Sequence, residues 1–151
     1  MRRRKSQPWY RDMRARLRFE GTARSRHPTL NLTSTGRGCN AEIIYRLIID
    51  VPEYEPRRVV IRMRNGFEPY AANITVDGPA DSPHRCGNDR LCIWHPNDPP
   101  EHAWVASDGL PELISQVTIH LFKEAYWRET GEWLGPEAPH ESGESKQQAA
   151  A

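Results

Sequence analysis

The chain has 151 residues, a hydrophobic fraction of 37% and 13 prolines, which predicts one domain with loop-rich ends around a smaller folded body. No apolar run approaches the ~20 residues that span a bilayer, and we expect no secretory signal, because no apolar stretch follows the basic N-terminus. Residues 1–26 carry a net charge of +8, which leaves −7 for the rest. We expect 1–8 to be a disordered basic N-terminus, 9–140 to be the folded domain and 141–151 to be a disordered tail.

The first predicted element is a short helix from Trp9 to Phe19, in which Trp9, Met13 and Leu17 recur every four residues. An arginine-rich helix could be an arm that holds nucleic acid or an acidic partner. It could also dock on a core through this apolar stripe and leave its arginines in solvent. We favour the docked helix, because a stripe of Trp, Met and Leu needs an apolar surface to pack on.

Alternating apolar residues predict four strands after this helix. The second is the strongest, because every odd position from 43 to 51 is apolar. Short connections favour an antiparallel meander, since parallel strands need long crossovers. The strands are expected at 29–33, 39–51, 58–64 and 72–77.

A long loop and a second helix follow the predicted sheet. Residues 78–107 are rich in proline and glycine and lack periodicity, which is typical of a functional or disordered loop. The helix begins near Asp108, has Pro111 in its first turn and stops at Gly131. Trp133 is expected to anchor the chain beyond it. The fold class is therefore α+β, a four-stranded antiparallel meander flanked by an N-terminal helix and a long C-terminal helix.

The stretch 82–97 carries the candidate chemistry, with two cysteines on either side of a Gly-Asn-Asp turn signal. One interpretation is a nucleophilic cysteine with a histidine helper. The second is a zinc site, although the spacing differs from the usual paired ligands. The third is two ordinary half-buried cysteines in a loop. The residues concerned are His84, Cys86, Cys92 and His95.

The cysteine content also bears on the compartment. Three cysteines, an odd number and widely spaced, do not make a disulfide framework. Thiols that stay unbridged are typical of a reducing setting, where they are more often catalytic or metal-binding. We therefore expect a cytoplasmic protein.

Two stretches carry a resemblance to a known family. With the order of elements, they make residues 29–140 similar to the ubiquitin-conjugating enzyme fold. In particular, the chain resembles the bacterial ubiquitin-conjugating-enzyme-like proteins found in anti-phage CBASS and related operons. The matching segments are Pro83-His84-Arg85, Gly87-Asn88-Asp89, Leu91-Cys92-Ile93-Trp94-His95-Pro96, Trp104 and the run from Trp127 to His140.

The resemblance implies that Cys92 forms a thioester. We hypothesise that His84 helps the transfer, either as oxyanion donor or as base. In the wider family a His-Pro-Asn triplet precedes the cysteine, and its Asn lies eight residues upstream, where this chain has His84 at the end of Ser82-Pro83-His84. His95-Pro96-Asn97 spells the triplet on the wrong side of the cysteine. Cys86 stands where the relatives have Tyr, so it is interpreted as structural. Fixed positive charge on Arg85 or Arg90 is expected to lower the pKa of Cys92.

The implied function is that of an acyl carrier. Cys92 would receive the C-terminus of a partner, either a ubiquitin-like protein or a cGAS-like nucleotidyltransferase that makes cyclic-oligonucleotide signals. It would then pass the acyl group to an amine in anti-phage defence. Because the chain has no adenylation signature, an upstream activating (adenylating) enzyme is an expected partner, and no cofactor, metal or membrane is expected. The alternative is a non-catalytic binding module of the same fold, with a zinc-binding His/Cys loop or a basic N-terminal arm that binds nucleic acid. Of the partners considered, nucleic acid is the least expected.

Overall fold

The computed structural model describes residues 9–64, 74–87, 89–94, 101 and 103–135. The disorder predicted for 1–8 and 141–151 lies outside these residues, as do His95 and the side chain of Cys39. Within the part of the chain that is described, none of the helices is both long and apolar enough to cross a membrane.

The described chain is built from two α-helices and one four-stranded sheet. Neighbouring strands pair antiparallel in the order β1-β2-β3-β4, so each connection joins adjacent strands. The predicted α+β class and the antiparallel meander are confirmed. The elements are α1 (Met13–Arg26), β1 (Asn31–Thr35), β2 (Glu42–Ile49), β3 (Arg57–Arg64), β4 (Ile74–Val76) and α2 (Gly109–Thr130).

The core lies between α2 and one face of the two central strands. Tyr45 of β2 pairs with Ile61 of β3, and both are fully buried, whereas Arg62 and Arg64 point to solvent. The alternation predicted for both strands is therefore confirmed. The buried apolar residues that α2 contributes are Leu110, Leu113, Ile114, Val117 and Leu121.

The face that α1 buries differs from the predicted one. Met13 and Leu17 are 60% and 57% exposed, so the prediction that these two residues dock is wrong, whereas Trp9, the third residue of the predicted stripe, is buried in the core. Asp12 caps the helix, because its carboxylate accepts the backbone N–H groups of Arg14 and Ala15. Trp9 belongs to a separate 3-10 turn before this cap, so a four-residue period counted from Trp9 does not continue into α1. The helix is docked, as expected, but through other residues: Phe19, Glu20 and Ala23.

A buried polar contact fixes α1 against the sheet. The Tyr45 hydroxyl donates to Glu20 Oε1 at 2.8 Å, and Arg16 Nε lies 2.9 Å from the same oxygen. Burial, followed by the hydrogen bond to Glu20, raises the pKa of Tyr45, so the phenol stays protonated. The contact therefore satisfies a carboxylate that α1 carries into the core.

Removing this hydroxyl is expected to destabilise the fold. Tyr45→Phe leaves Glu20 with one partner fewer in a buried site, which costs about 1–3 kcal/mol. Tyr54→Phe is the matched control, because Tyr54 is half-buried and donates to the exposed Glu129. Urea unfolding of the two variants and the parent chain measures the free energy of unfolding. If both variants lose the same amount, the buried hydrogen bond contributes no more to stability than the exposed one.

Candidate functional site

The cysteine stretch is a short antiparallel hairpin added to the edge of the sheet. The Cys92 N–H donates to the His84 carbonyl at 2.9 Å, and the Cys86 N–H donates to the Arg90 carbonyl at 3.0 Å. The segment 78–107 was expected to be a loop without regular structure. The hairpin was missed because its two paired arms, 84–86 and 90–92, are too short to show alternation.

The second arm of the hairpin extends the sheet beyond β4. The Val76 N–H donates to the Asp89 carbonyl at 2.9 Å, and the Leu91 N–H donates to the Ile74 carbonyl at 3.1 Å. Leu91 is buried in the main core. Backbone pairing and a core side chain thus hold Cys92, the next residue, in a fixed position.

Cys86 and Cys92 are joined by a disulfide, with Cα atoms 5.5 Å apart. The expectation that the thiols stay unbridged is wrong for this pair, and the argument from it for a reducing compartment loses its basis. The physical reason is the hairpin, which makes positions 86 and 92 diagonal neighbours on one face and within disulfide reach. Both residues are partly exposed.

The zinc interpretation loses two of its four ligands to this disulfide. His95, a third, lies outside the described residues. Across the ranges that the structure describes, no cluster of three or more His, Cys, Asp or Glu side chains could hold a metal ion. In the disulfide-bonded form, the hairpin therefore offers no thiolate ligand for the zinc alternative.

His84 lies opposite Cys92 in the hairpin, so the structure brings the two predicted site residues together. Its backbone N–H donates to the Ser82 hydroxyl at 3.2 Å. Its ring is buried and stacks on Trp133, with ring centroids 4.0 Å apart and a tilt of 42°. His120 of α2 faces both rings, at 6.1 Å from His84 and 5.4 Å from Trp133. Trp133 therefore closes over the base of the hairpin.

A fully buried carboxylate on α2 holds the hairpin from the other side. Glu124 accepts from Arg85 Nε at 2.9 Å and Nη2 at 2.7 Å, and from Arg128 Nη2 at 2.8 Å. Burial by itself would raise the pKa of Glu124, but contacts from His120 and Arg85 outweigh it and lower the pKa to about 2. His120 Nε2 is 3.4 Å away, long for a hydrogen bond, so Arg85 is the stronger partner.

The same arginines bind the segment that leads into the hairpin. Arg85 and Arg128 both donate to the Pro79 carbonyl, at 3.1 and 2.8 Å. Arg128 Nε also pairs with Asp81 at 2.7 Å, and this hydrogen bond lowers the pKa of Asp81. Glu124 is therefore the centre of a network that connects α2 to the chain on the N-terminal side of Cys92.

This network was missed in the sequence, although its members follow a visible pattern. His120, Glu124 and Arg128 recur every four residues, which places them on one side of α2. His120 is buried, with only 5% of its surface exposed. The spacing of acids and bases along a helix is usually a surface feature, so only burial distinguishes this set.

The two arginines expected to act on Cys92 have separate roles. Arg85 is committed to Glu124, as its side chain is almost fully buried. Arg90 is exposed, and its Nε donates to the Cys86 carbonyl at 2.7 Å. Positive charge at the outer end of the hairpin therefore comes from Arg90.

The solvent face of α1 is basic. Arg14, Arg18 and Arg24 are exposed on it, next to the exposed Met13 and Leu17. This surface is separate in sequence from the hairpin and shares none of its described hydrogen bonds.

The fold and site define an α+β domain whose candidate site is a histidine- and cysteine-bearing hairpin at the sheet edge. Comparison of the chain with protein-family models, with curated proteins and with solved structures finds no match in any of the three. The function must therefore be argued from the chemistry of the site.

Proposed function

We propose that this chain is a ubiquitin-conjugating-enzyme-like acyl carrier with that family's fold. Cys92 accepts the C-terminus of a partner protein as a thioester and passes it to an amine. The observation that carries the proposal is the position of Cys92, partly exposed and opposite His84 on a hairpin fixed to the sheet and to α2. A carrier needs such a site, because its nucleophile must be both accessible and precisely held.

The proposed reaction has two steps. In the first, the Cys92 thiolate attacks the carbonyl carbon of an upstream thioester, and the donor's thiol leaves. In the second, an amine attacks the new thioester, the Cys92 sulfur leaves and an amide forms. An oxyanion develops on the carbonyl in both steps, and His84 either donates a hydrogen bond to it or takes the proton from the amine.

The partners belong to the same proposal. An adenylating enzyme activates the carried chain, which is a ubiquitin-like protein or a nucleotidyltransferase that makes cyclic-oligonucleotide signals. The proposed setting is anti-phage defence in the cytoplasm. The resemblance of two segments to the bacterial family supports these assignments, namely the hairpin with Cys92 and the run from Trp127 onward.

Three single-cysteine chains test the assignment of Cys92. Each retains Cys39, Cys86 or Cys92 and has serine at the other two positions, and each is fully reduced before use. A synthetic peptide α-thioester ending in glycine serves as acyl donor. Cys92 is expected to form a thiol-sensitive adduct at least ~10-fold faster than the others, because His84, the proposed oxyanion donor, is its cross-strand partner, whereas Cys86 pairs with Arg90.

Intact-mass measurement during the reaction gives the three rates, and added dithiothreitol must remove the adduct. Cys86 is the matched control, since it lies on the same hairpin and is partly exposed like Cys92. Equal rates for the Cys86 and Cys92 chains would show that accessibility alone governs the reaction, and the carrier proposal would then be wrong.

A further inference from the structure

The second cysteine of the hairpin has no part in the carrier reaction, yet it is bonded to the proposed nucleophile. Cys86 and Cys92 are six residues apart and share a disulfide. A sulfur in a disulfide is not a thiolate, and the thiolate is the form that attacks a thioester. The bonded chain therefore holds no nucleophile at Cys92.

The hairpin is held by contacts other than the disulfide. The Cys92 N–H to His84 carbonyl and Cys86 N–H to Arg90 carbonyl hydrogen bonds pair its arms. Arg85, inside the first arm, is held by Glu124. The disulfide closes a short loop, which constrains the unfolded chain less than a long loop would. We therefore expect the hairpin to keep its pairing when the disulfide is reduced.

A reductant can reach the pair. Cys86 and Cys92 are both partly exposed, at the edge of the sheet. Arg90 places a fixed positive charge at Cys86, with its Nε 2.7 Å from the Cys86 carbonyl oxygen. Positive charge favours the thiolate forms through which disulfide exchange proceeds. These are features of an exchangeable pair, whereas an inert structural disulfide is typically buried.

We propose that Cys86 and Cys92 form a reversible redox site, with Cys86 as the resolving cysteine. A thiol reductant attacks one sulfur and forms a mixed disulfide, and a second reductant thiol then displaces the protein sulfur. The disulfide takes up two electrons and two protons to become two cysteine thiols, while two reductant thiols become one disulfide. The effect of this redox site on activity rests on the proposed function. Reduction frees the Cys92 thiol to carry an acyl group, and oxidation to the disulfide makes that thiol unavailable.

Thiol counting at controlled redox poise tests the site without any acyl donor. The full chain with Cys39→Ser is equilibrated in buffers of reduced and oxidised glutathione, quenched with acid and labelled with a maleimide. Intact mass is expected to show no label at the oxidised end and two labels at the reduced end, with the transition within the series. Two labels at every ratio, or none at every ratio, would overturn the proposal.

The variant that lacks the resolving cysteine separates this proposal from the carrier function. After oxidation, the Cys39→Ser chain is expected to give no adduct with the peptide α-thioester until it is reduced. A Cys39→Ser, Cys86→Ser chain, treated identically and freed of glutathione adducts by gentle reduction, is expected to react at the rate of the reduced chain. If thiol counting succeeds and no chain forms an adduct, the redox site stands and the carrier function fails. If the number of labels does not change with the glutathione ratio and the reduced Cys92 chain forms the adduct, the carrier function stands and the redox site fails.

Discussion

Replacing Glu124 by glutamine is expected to lower the free energy of unfolding by about 3–5 kcal/mol, the cost of removing one partner from a buried ion pair. Glu124 is fully buried and accepts from Arg85 and Arg128 at 2.7–2.9 Å. Glutamine keeps the shape but turns an N–H₂ group toward one guanidinium, so Arg85 is left charged and buried. Urea unfolding followed by far-UV circular dichroism at neutral pH measures the loss.

Glu112→Gln is the matched control for this substitution. Glu112 lies on the first turn of the same helix and is exposed, so the change should stay within about 0.5 kcal/mol. If Glu124→Gln loses no more than this control, the buried network contributes nothing measurable and the hairpin must be held by its backbone pairing alone.

The same carboxylate should give the fold a defined acid sensitivity. The pKa of Glu124 is lowered from 4.5 to about 2 in the folded chain. Its stabilisation is therefore complete above pH ~4.5 and is lost as the pH falls toward ~2, a total of about 3 kcal/mol. The parent chain is expected to lose stability steeply in this window, and Glu124→Gln less steeply. Parallel pH profiles for the two chains would contradict the assignment.

The central sheet and α2 could be predicted because their periodic burial is written directly in the sequence. Strand β3 alternates from Arg58 to Arg64, β2 alternates from Tyr45 to Ile49, and α2 carries an apolar residue at every turn. Gly131 ends α2 with φ of 77°, the left-handed conformation that a glycine at this position predicts. Such signals are local, so tertiary structure does not alter them.

The other features depend on contacts between distant parts of the chain. The buried face of α1 is set by where Asp12 starts the helix and by the pairing of Glu20 with Tyr45, 25 residues later. Gly109 illustrates the same dependence, because its φ of 82° and the Phe19 ring against it leave no room for a Cβ. An apolar stripe cannot reveal a buried carboxylate, so the predicted face of α1 was wrong.

The candidate site also combines features that the local sequence predicts with features that depend on distant contacts. A turn signal between two cysteines was visible in the sequence, and it marked the correct stretch. The disulfide was not predicted, because it requires the register in which Cys92 pairs with His84. Glu124 was not predicted either, since a charge on a helix is normally solvated. The disulfide and the burial of Glu124 can be recognised only once the positions of the hairpin, the sheet edge and α2 relative to one another are known.

Replacing His84 by alanine is expected to slow aminolysis of the Cys92 thioester by about 10²–10³-fold, the usual effect of removing one oxyanion donor. If His84 acts as the base, formation of the thioester from a peptide α-thioester should suffer less, since a thiolate needs no base to remove its proton. If His84 donates to the oxyanion, both steps should slow, because the oxyanion develops in both. The test follows the decay of a preformed Cys92 thioester in the reduced Cys39→Ser, Cys86→Ser chain, with lysine as the acceptor amine.

The two possible roles of His84 predict different results for His84→Asn. Asparagine keeps an N–H donor and cannot act as a base, so a rate near that of the parent chain indicates a hydrogen bond to the oxyanion. A rate as low as that of His84→Ala indicates proton transfer, for which a loss of about 10²–10⁴-fold is typical. The pH dependence of the parent rate then provides an independent check.

Trp133→Ala is the control for packing, because the His84 ring stacks on Trp133 at 4.0 Å. This variant removes the stack and keeps the imidazole, so its aminolysis rate should fall less than that of His84→Ala. Unfolding measurements on each variant confirm that the rates compare folded proteins. Equal losses in His84→Ala and Trp133→Ala would mean that His84 only supports the hairpin. An unchanged rate in His84→Ala would exclude any part for this residue in the transfer.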